Sequence, residues 1–220
     1  MALSGDGGDE LFMGYGAYNW ARRLQNPLLR YSRKPLYQIS RLGNSWSKRG
    51  GKVINYSDKE QIPSHIFSQE QCLFSRKEIT EVLQPDFVRS FTLENENATA
   101  TREISPAENQ ALFDVNYYLR EDLLQKVDRS SMKYSLEVRV PLLDYNIVEF
   151  ALNLNENLKI HDGVHKYLLK EVLYEYIPSS LFDRPKWGFS IPLSNWLKGD
   201  LHFLIDTYLN EDLIKKVGIF

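Results

Sequence analysis

Apolar residues recur at helical rather than alternating spacing along most of the chain. Ala111, Leu112, Val115, Tyr118 and Leu119 fall on one face of a 3.6-residue period, and Leu169, Val172, Leu173 and Tyr176 do the same further on. Both stripes are expected to face the core. The starts of helices are marked as well. Ser105-Pro106-Ala107-Glu108 has capping-box spacing with proline at the first helical position, and Ser75-Arg76-Lys77-Glu78 repeats that spacing upstream. Asp144 is placed to cap a third helix through Ile147, Val148, Ala151 and Leu152, after a break at Pro141. Strand-like alternation is scarce, with Lys52 to Tyr56 as the one short candidate. Residues 43–51, with three glycines, and 94–101, rich in Asn, Glu and Thr, read as loops.

The pattern therefore predicts a mainly α fold without internal repeats. Neither loop separates two blocks that could each bury a core, so residues 1–220 are expected to form a single domain. Composition agrees, at 43% hydrophobic and 25% charged, and no apolar run approaches the ~20 residues of a membrane span. The single cysteine, Cys72, cannot form an internal disulfide, and the N-terminus has neither a basic region nor an apolar signal segment. A cytoplasmic location is expected.

The net charge of −2 conceals an uneven distribution. Residues 11 to 57 contain nine Lys and Arg and no acid, while the first ten residues carry Asp6, Asp9 and Glu10. Such a basic stretch can bind phosphate or nucleic acid. A solvated helix face that docks on an acidic surface of the same or a partner chain accounts for it better, so neither nucleic acid nor a membrane is an expected partner.

Glycine usage adds a further feature, because five of the twelve glycines (Gly5, Gly7, Gly8, Gly14 and Gly16) lie in the first sixteen residues. A Gly-rich turn entering a helix, here expected from Asp9 to about Gln25, is the form taken by loops whose N–H groups meet phosphate. Those loops follow a strand, and only Ala2 and Leu3 are available, so the segment reads as the end of a truncated strand. Three carboxylates would repel a phosphate. A Mg²⁺ ion removes the conflict, since it takes one or two carboxylates together with phosphate oxygens, and Asp9 or Asp6 could supply them.

Three blocks of residues resemble the glutamine-hydrolysing asparagine synthetases, in order and spacing. The first is Ser4-Gly5-Asp6-Gly7-Gly8-Asp9-Glu10-Leu11-Phe12 with Gly14-Tyr15. The second runs from Asp122 through Lys126-Val127-Asp128-Arg129-Ser130-Ser131-Met132 into Glu137-Val138-Arg139-Val140-Pro141-Leu142-Leu143-Asp144. The third is Lys166-Tyr167-Leu168-Leu169-Lys170, then Pro178, then Arg184-Pro185-Lys186-Trp187-Gly188-Phe189-Ser190-Ile191-Pro192. The resemblance covers residues 3 to about 198 and is loose over 20–105.

The resemblance implies the helical C-terminal part of an α/β adenine-nucleotide-binding synthetase domain of the ATP pyrophosphatase type, with most of the parallel sheet missing. The family's N-terminal glutaminase domain and its Ser-Gly-Gly-x-Asp-Ser pyrophosphate loop are absent from these 220 residues. It implies a reaction in which the carboxylate of aspartate attacks ATP, giving an acyl-adenylate and pyrophosphate, after which ammonia from glutamine displaces AMP. By resemblance Asp9 is a Mg²⁺ ligand, Lys186 contacts pyrophosphate and the intermediate, and Ser4 and Gly5 contact the nucleotide through main chain. Asp6 stands where better-known members carry a glutamate proposed as general base, and its reach is one methylene shorter. Alone, the chain is expected to be inactive.

Some assignments stay open between structure and chemistry. Lys186 could stack on Trp187, Lys166 could act directly or by support, and Glu137 with Arg139 reads best as an internal ion pair. Val127, Val138 and Val140 match the family's ammonia passage, but core packing asks for the same residue types. His161 and His165 are four apart, yet Gly163 between them argues against a helical zinc pair. Relatives of the family amidate sugar or peptide carboxylates, and a non-catalytic helical interaction module is the alternative of another class.

Overall fold

The computed structural model describes residues 1–56, 61–72, 74, 76–88, 102–182 and 191–219. In chain order these form strand β1 (Ala2–Leu3) and helices α1 (Gly8–Leu11), α2 (Ala17–Leu24), α3 (Pro27–Ser40), α4 (Ser45–Ile54), α5 (Ile62–Glu70), α6 (Arg76–Val82) and α7 (Pro106–Asp114). A π-helical stretch, Val115–Leu123, joins α7 to α8 (Leu124–Met132). Strand β2 (Val138–Arg139), helices α9 (Tyr145–Asn153) and α10 (Glu156–Lys159) and the strands β3 (Ile160–His161) and β4 (Val164–His165) follow. Helices α11 (Tyr167–Tyr174), α12 (Leu193–Lys198), α13 (His202–Tyr208) and α14 (Glu211–Val217) complete the chain. The fold is mainly α, as the apolar spacing predicts.

These elements divide into two compact units. The larger contains residues 1–72 and the described residues up to 177, with β1–α5 and α7–α11. Its interior is built around the segment after the Gly-rich turn. Leu11 and Phe12 pack with Ala151, Ile147, Val148 and Leu169, whereas Met13 and Tyr18 pack with Ala107, Ala111 and Ile160. Ala17, Ala21 and Leu24 of α2 close a third cluster with Val53, Ile54 and Ile66. One short stretch thus contributes to all three clusters, so its backbone is fixed by burial on several sides. The smaller unit holds α6 and α12–α14. There Asn210 caps α14 by accepting from the Leu213 N–H at 2.9 Å, and Gly218 ends it in the left-handed region.

The capping signals act as the sequence indicates. Ser105 accepts from the Glu108 N–H at 3.1 Å and the Glu108 carboxylate accepts from the Ser105 N–H at 2.7 Å, a complete capping box. Asp144 accepts from the Asn146 N–H at 3.0 Å and starts α9. Ser75 and residues 94–101 lie outside the described residues, although α6 begins at Arg76.

Four local expectations change. Lys52 to Ile54 end a helix rather than start a strand, and most of residues 43–51 belong to that same α4, which Asn44 caps by accepting from the Ser47 N–H at 2.9 Å. The β-branched pair Val53-Ile54 is buried by helical packing against α2 and α5, which overrides its strand preference. The helix expected from Asp9 to Gln25 is broken, because Met13 adopts φ 56° and separates α1 from α2. Finally, the stripe expected through α11 is only partly buried: Leu169 packs on the α1 cluster, but Val172 is 49% exposed and Tyr176, beyond the end of the helix, 79%.

The short strand expected at Ala2 and Leu3 is present. β1 pairs in parallel with β2, Ala2 opposite Val138 and Leu3 opposite Arg139, and the Ser4 N–H extends the ladder to the Arg139 carbonyl at 2.9 Å. Parallel pairing needs a long crossover, and residues 4–137 supply it.

Candidate nucleotide and metal site

The Gly-rich turn leaves the carboxyl end of β1 beside the carboxyl end of β2, the edge at which open α/β sheets bind ligands. Gly7 sits at φ 82° and forms the N-terminal boundary of α1, a conformation that favours glycine. A methyl there would also collide with the side chain of Leu143. Gly5, by contrast, is exposed, and a side chain at this position would meet nothing, so its backbone is open to an approaching group. Ser4 donates its hydroxyl to Asp6 Oδ2 at 2.5 Å, which ties that carboxylate back to the strand end. Ser4, Gly5, Asp6 and Asp9 therefore share one loop and its first helical turn.

Asp9 is three-quarters buried and its Oδ2 pairs with Lys166 Nζ at 2.9 Å. The main chain holds Asp9 as well: its carbonyl accepts from the Gly14 N–H at 2.7 Å and from the Tyr18 hydroxyl at 3.4 Å. Gly14 must be glycine, because a Cβ there would overlap both the Asp9 carboxylate and Cε of Lys166. Lys166 itself is in the left-handed region at φ 55°, at the point where β4 turns into α11.

Behind Asp9 lies a buried acidic layer. Glu10 is 1% exposed, its Oε1 accepts from the Tyr15 hydroxyl at 2.7 Å, and its Oε2 has no hydrogen-bond partner among the described residues. Burial pushes the Glu10 carboxyl up from its ordinary range, against the lowering effect of the Tyr15 hydrogen bond. Burial likewise raises Asp114 to about 7, against the lowering effect of the hydrogen bond that Gln110 Nε2 donates at 3.0 Å and of the neighbouring Tyr18 hydroxyl. Tyr15 and Tyr18 are held neutral by burial and by the neighbouring carboxyls. Glu10 also lines a cleft of about 660 Å³ between α7 and α9, walled by Ile104, Leu112, Val115, Val148 and Leu152.

Two partly exposed carboxylates, Asp6 and Asp9, next to open backbone at Gly5 fit Mg²⁺, which relies on few protein oxygens and on phosphate. Among the described residues no group of three or more His, Cys, Asp and Glu could hold a metal by itself. His161 and His165 do not form a pair. They lie on β3 and β4, where Ile160 faces His165 and His161 faces Val164, so the two rings project from opposite faces. His161 stacks on Tyr167, with ring centroids 4.7 Å apart, while His165 binds the Met13 carbonyl. Glu137 and Arg139 form the internal ion pair, at 2.6 Å and largely exposed. Val127, Val138 and Val140 are half-buried. Lys186 lies outside the described residues.

The basic stretch falls on α2, α3 and α4, and part of it docks on acids of the same unit: Arg22 on Glu156, and Arg49 on Glu70 at 2.7 Å. No helix among the described residues is long and apolar enough to cross a membrane.

A Gly-rich turn at the end of a parallel strand, followed at once by a fixed carboxylate, is an arrangement that open α/β sheets use to bind ligands, set here in a mainly helical chain. The sequence profile of the asparagine synthase family matches residues 1–220, and the chain belongs to that family. It is 27% identical to glutamine-hydrolysing asparagine synthetase 1 of Bacillus subtilis, over 97% of this chain and 35% of that protein. A Mycobacterium bovis protein provisionally named a glutamine-hydrolysing asparagine synthetase is 31% identical over 90% of this chain and 30% of its own length. Glutamine-hydrolysing asparagine synthetase 3 of B. subtilis is 24% identical over 99% of this chain and 33% of that protein. The chain thus spans about a third of the length of the curated relatives it matches. No solved structure matches it significantly.

Proposed function

We propose that these residues form part of the synthetase site of an ATP-dependent amide ligase that makes asparagine from aspartate and glutamine-derived ammonia. The observation that carries this reading is Asp9, held by Lys166 at the open, carboxyl end of the parallel strand pair. In the reaction an aspartate carboxylate oxygen bonds to the α-phosphorus of ATP while the bond to the departing pyrophosphate breaks. Ammonia then attacks the acyl carbon, AMP leaves, and the nitrogen gives up a proton. Mg²⁺, when bound, neutralises charge on the departing pyrophosphate.

Asp9 would hold the metal, kept oriented by Lys166 and by the Gly14 and Tyr18 bonds to its carbonyl. Ser4 and Gly5 would contact the nucleotide through main chain, for which the open space at Gly5 leaves room. Asp6, held by Ser4, would take the proton from the attacking nitrogen. Lys186 would stabilise the developing charge on pyrophosphate. The chemistry depends on positioning, and the Ser-Gly-Gly-x-Asp-Ser loop is not among these residues, so the 220 residues alone are expected to be inactive.

The test is turnover by the full-length protein with aspartate, glutamine, ATP and Mg²⁺, scored as asparagine, AMP and pyrophosphate in equal amounts. Asp9→Ala and Lys186→Ala should each lower it by at least ~100-fold. Intact turnover in both variants would favour a helical interaction module. Pyrophosphate release with a sugar or peptide carboxylate but not with aspartate would keep the chemistry and change the acceptor.

A further inference from the structure

His165 donates from Nδ1 to the Met13 carbonyl at 2.7 Å, and its Nε2 lies 3.1 Å from Asn19 Nδ2. A carbonyl can only accept, so the Nδ1 nitrogen carries the proton and Nε2 accepts from the Asn19 amide. Both ring nitrogens are satisfied and the ring is fixed between β4 and the start of α2. Its target is unusual. Met13 is fully buried and sits at φ 56°, a conformation that costs a non-glycine residue ~1 kcal/mol or more. This is the turn that ends α1 and swings the chain into α2, and the next residue, Gly14, donates its N–H to the Asp9 carbonyl.

The side chain following His165 is Lys166, whose ammonium meets the Asp9 carboxylate. Two consecutive residues leaving one hairpin therefore hold the first turn of α1 from both ends, the carboxylate through Lys166 and the Met13 carbonyl through His165. We propose that His165, oriented by Asn19, is a positioning residue that fixes the Met13–Gly14 turn and through it the metal-binding orientation of Asp9. This rests on the reading of Asp9 as the Mg²⁺ ligand. His165 acts on the turn through the Met13 carbonyl, with Asn19 holding the ring, so its loss should weaken metal use more than the chemical step.

The test uses the full-length protein with His165→Ala, His165→Gln and His165→Asn. In His165→Ala the Mg²⁺ concentration giving half-maximal turnover should rise ~10-fold, the scale seen when a group supporting a ligand is lost. Turnover at saturating Mg²⁺ should fall by no more than roughly threefold. Amide exchange at Met13 and Gly14, measured without nucleotide, should accelerate. The amide nitrogen of asparagine can occupy the place of Nδ1, so His165→Asn should restore both readouts and His165→Gln should not. If His165→Ala does not fold, Asn19→Ala, which frees the ring without removing it, should shift the Mg²⁺ midpoint by about 2–5-fold in the same direction. An unchanged midpoint and unchanged exchange, in a protein where Asp9→Ala abolishes turnover, would overturn the positioning role and leave the reading of Asp9 intact. A Mg²⁺ dependence unaltered by Asp9→Ala would remove that reading, and the proposal with it.

Discussion

The Asp9 carboxylate and the Lys166 ammonium meet at 2.9 Å, joining the first block of the family pattern to the third across more than 150 residues of sequence. Both side chains are about three-quarters buried, so the pair is screened far less than a surface ion pair. Lys166→Met would remove this partner of the Asp9 charge. Turnover of the full-length protein is expected to fall ~10–100-fold, and Lys166→Arg to recover little, because the guanidinium is wider than the space beside Gly14. Steady-state assays of the two variants check this.

Gly14→Ala tests the same contact from the backbone side. The added methyl overlaps the Asp9 carboxylate and Lys166 Cε, so one of them must leave. The expected cost is about 1–3 kcal/mol in denaturant unfolding, with turnover lost to at least the extent seen for Lys166→Met. A variant as stable and as active as the parent would show that the close approach is dispensable.

Gly7 and Gly163 share nearly the same φ, 82° and 80°, but not the same surroundings. Gly163 forms the β3–β4 turn with Asp162 and faces open space, whereas a methyl at Gly7 strikes Leu143. Gly163→Ala should therefore cost only the backbone strain, about 1 kcal/mol. Gly7→Ala should cost that and the displacement of Leu143, roughly 2–4 kcal/mol altogether. Paired Tm measurements would separate strain from packing.

Asp114 gives the larger unit a pH dependence of opposite sign to that of an ordinary paired carboxylate. Its carboxyl titrates at about 7 when folded, against 3.8 ordinarily, so between those values the folded state holds a proton that the unfolded state has released. Stability contributed by this group is present below pH ~4, falls as pH rises towards 7, and is level above that. The raised Glu10 acts in the same direction. Glu108 acts in the other: burial raises it, but the hydrogen bonds from Arg102 at 2.6 and 3.1 Å and from the Ser105 N–H lower it further, so its contribution is lost as the pH drops. Asp114→Asn should flatten the decline between pH 4 and 7 and stabilise the protein by about 1–3 kcal/mol at pH 8. Denaturant unfolding at pH 5 and pH 8 checks it; an unchanged slope would assign the pH dependence to other groups.

Much of the helical framework can be read from local chemistry. The Ser105–Glu108 capping box and the Asp144 cap act within three residues of sequence, so distant partners cannot easily reverse them. The errors lie where a local preference meets a stronger tertiary one. Val53 and Ile54 favour strands by their branching but are buried in a helix, and Val172 matches a core spacing yet is 49% exposed. The Asp162-Gly163 dipeptide was the available signal for the β3–β4 hairpin, since both residues take positive φ as a type I′ turn requires. Gly163 argues against a His161–His165 pair, and the hairpin does place the two residues on opposite faces.

For the site, the sequence by itself determined which residues are present and the chemistry they can perform: a flexible Gly-rich backbone, carboxylates at Asp6 and Asp9, and a family pattern that assigns them a nucleotide and a metal. Those properties belong to residue types and short spacings. Only the tertiary structure decided that Lys166 faces Asp9, that His165 holds the Met13 carbonyl, and that Glu10 and Asp114 are buried beneath them. These relations join residues about 100 to 160 positions apart, and their geometry depends on how the β3–β4 hairpin, α1 and α7 pack together. No local rule of spacing or propensity contains that information.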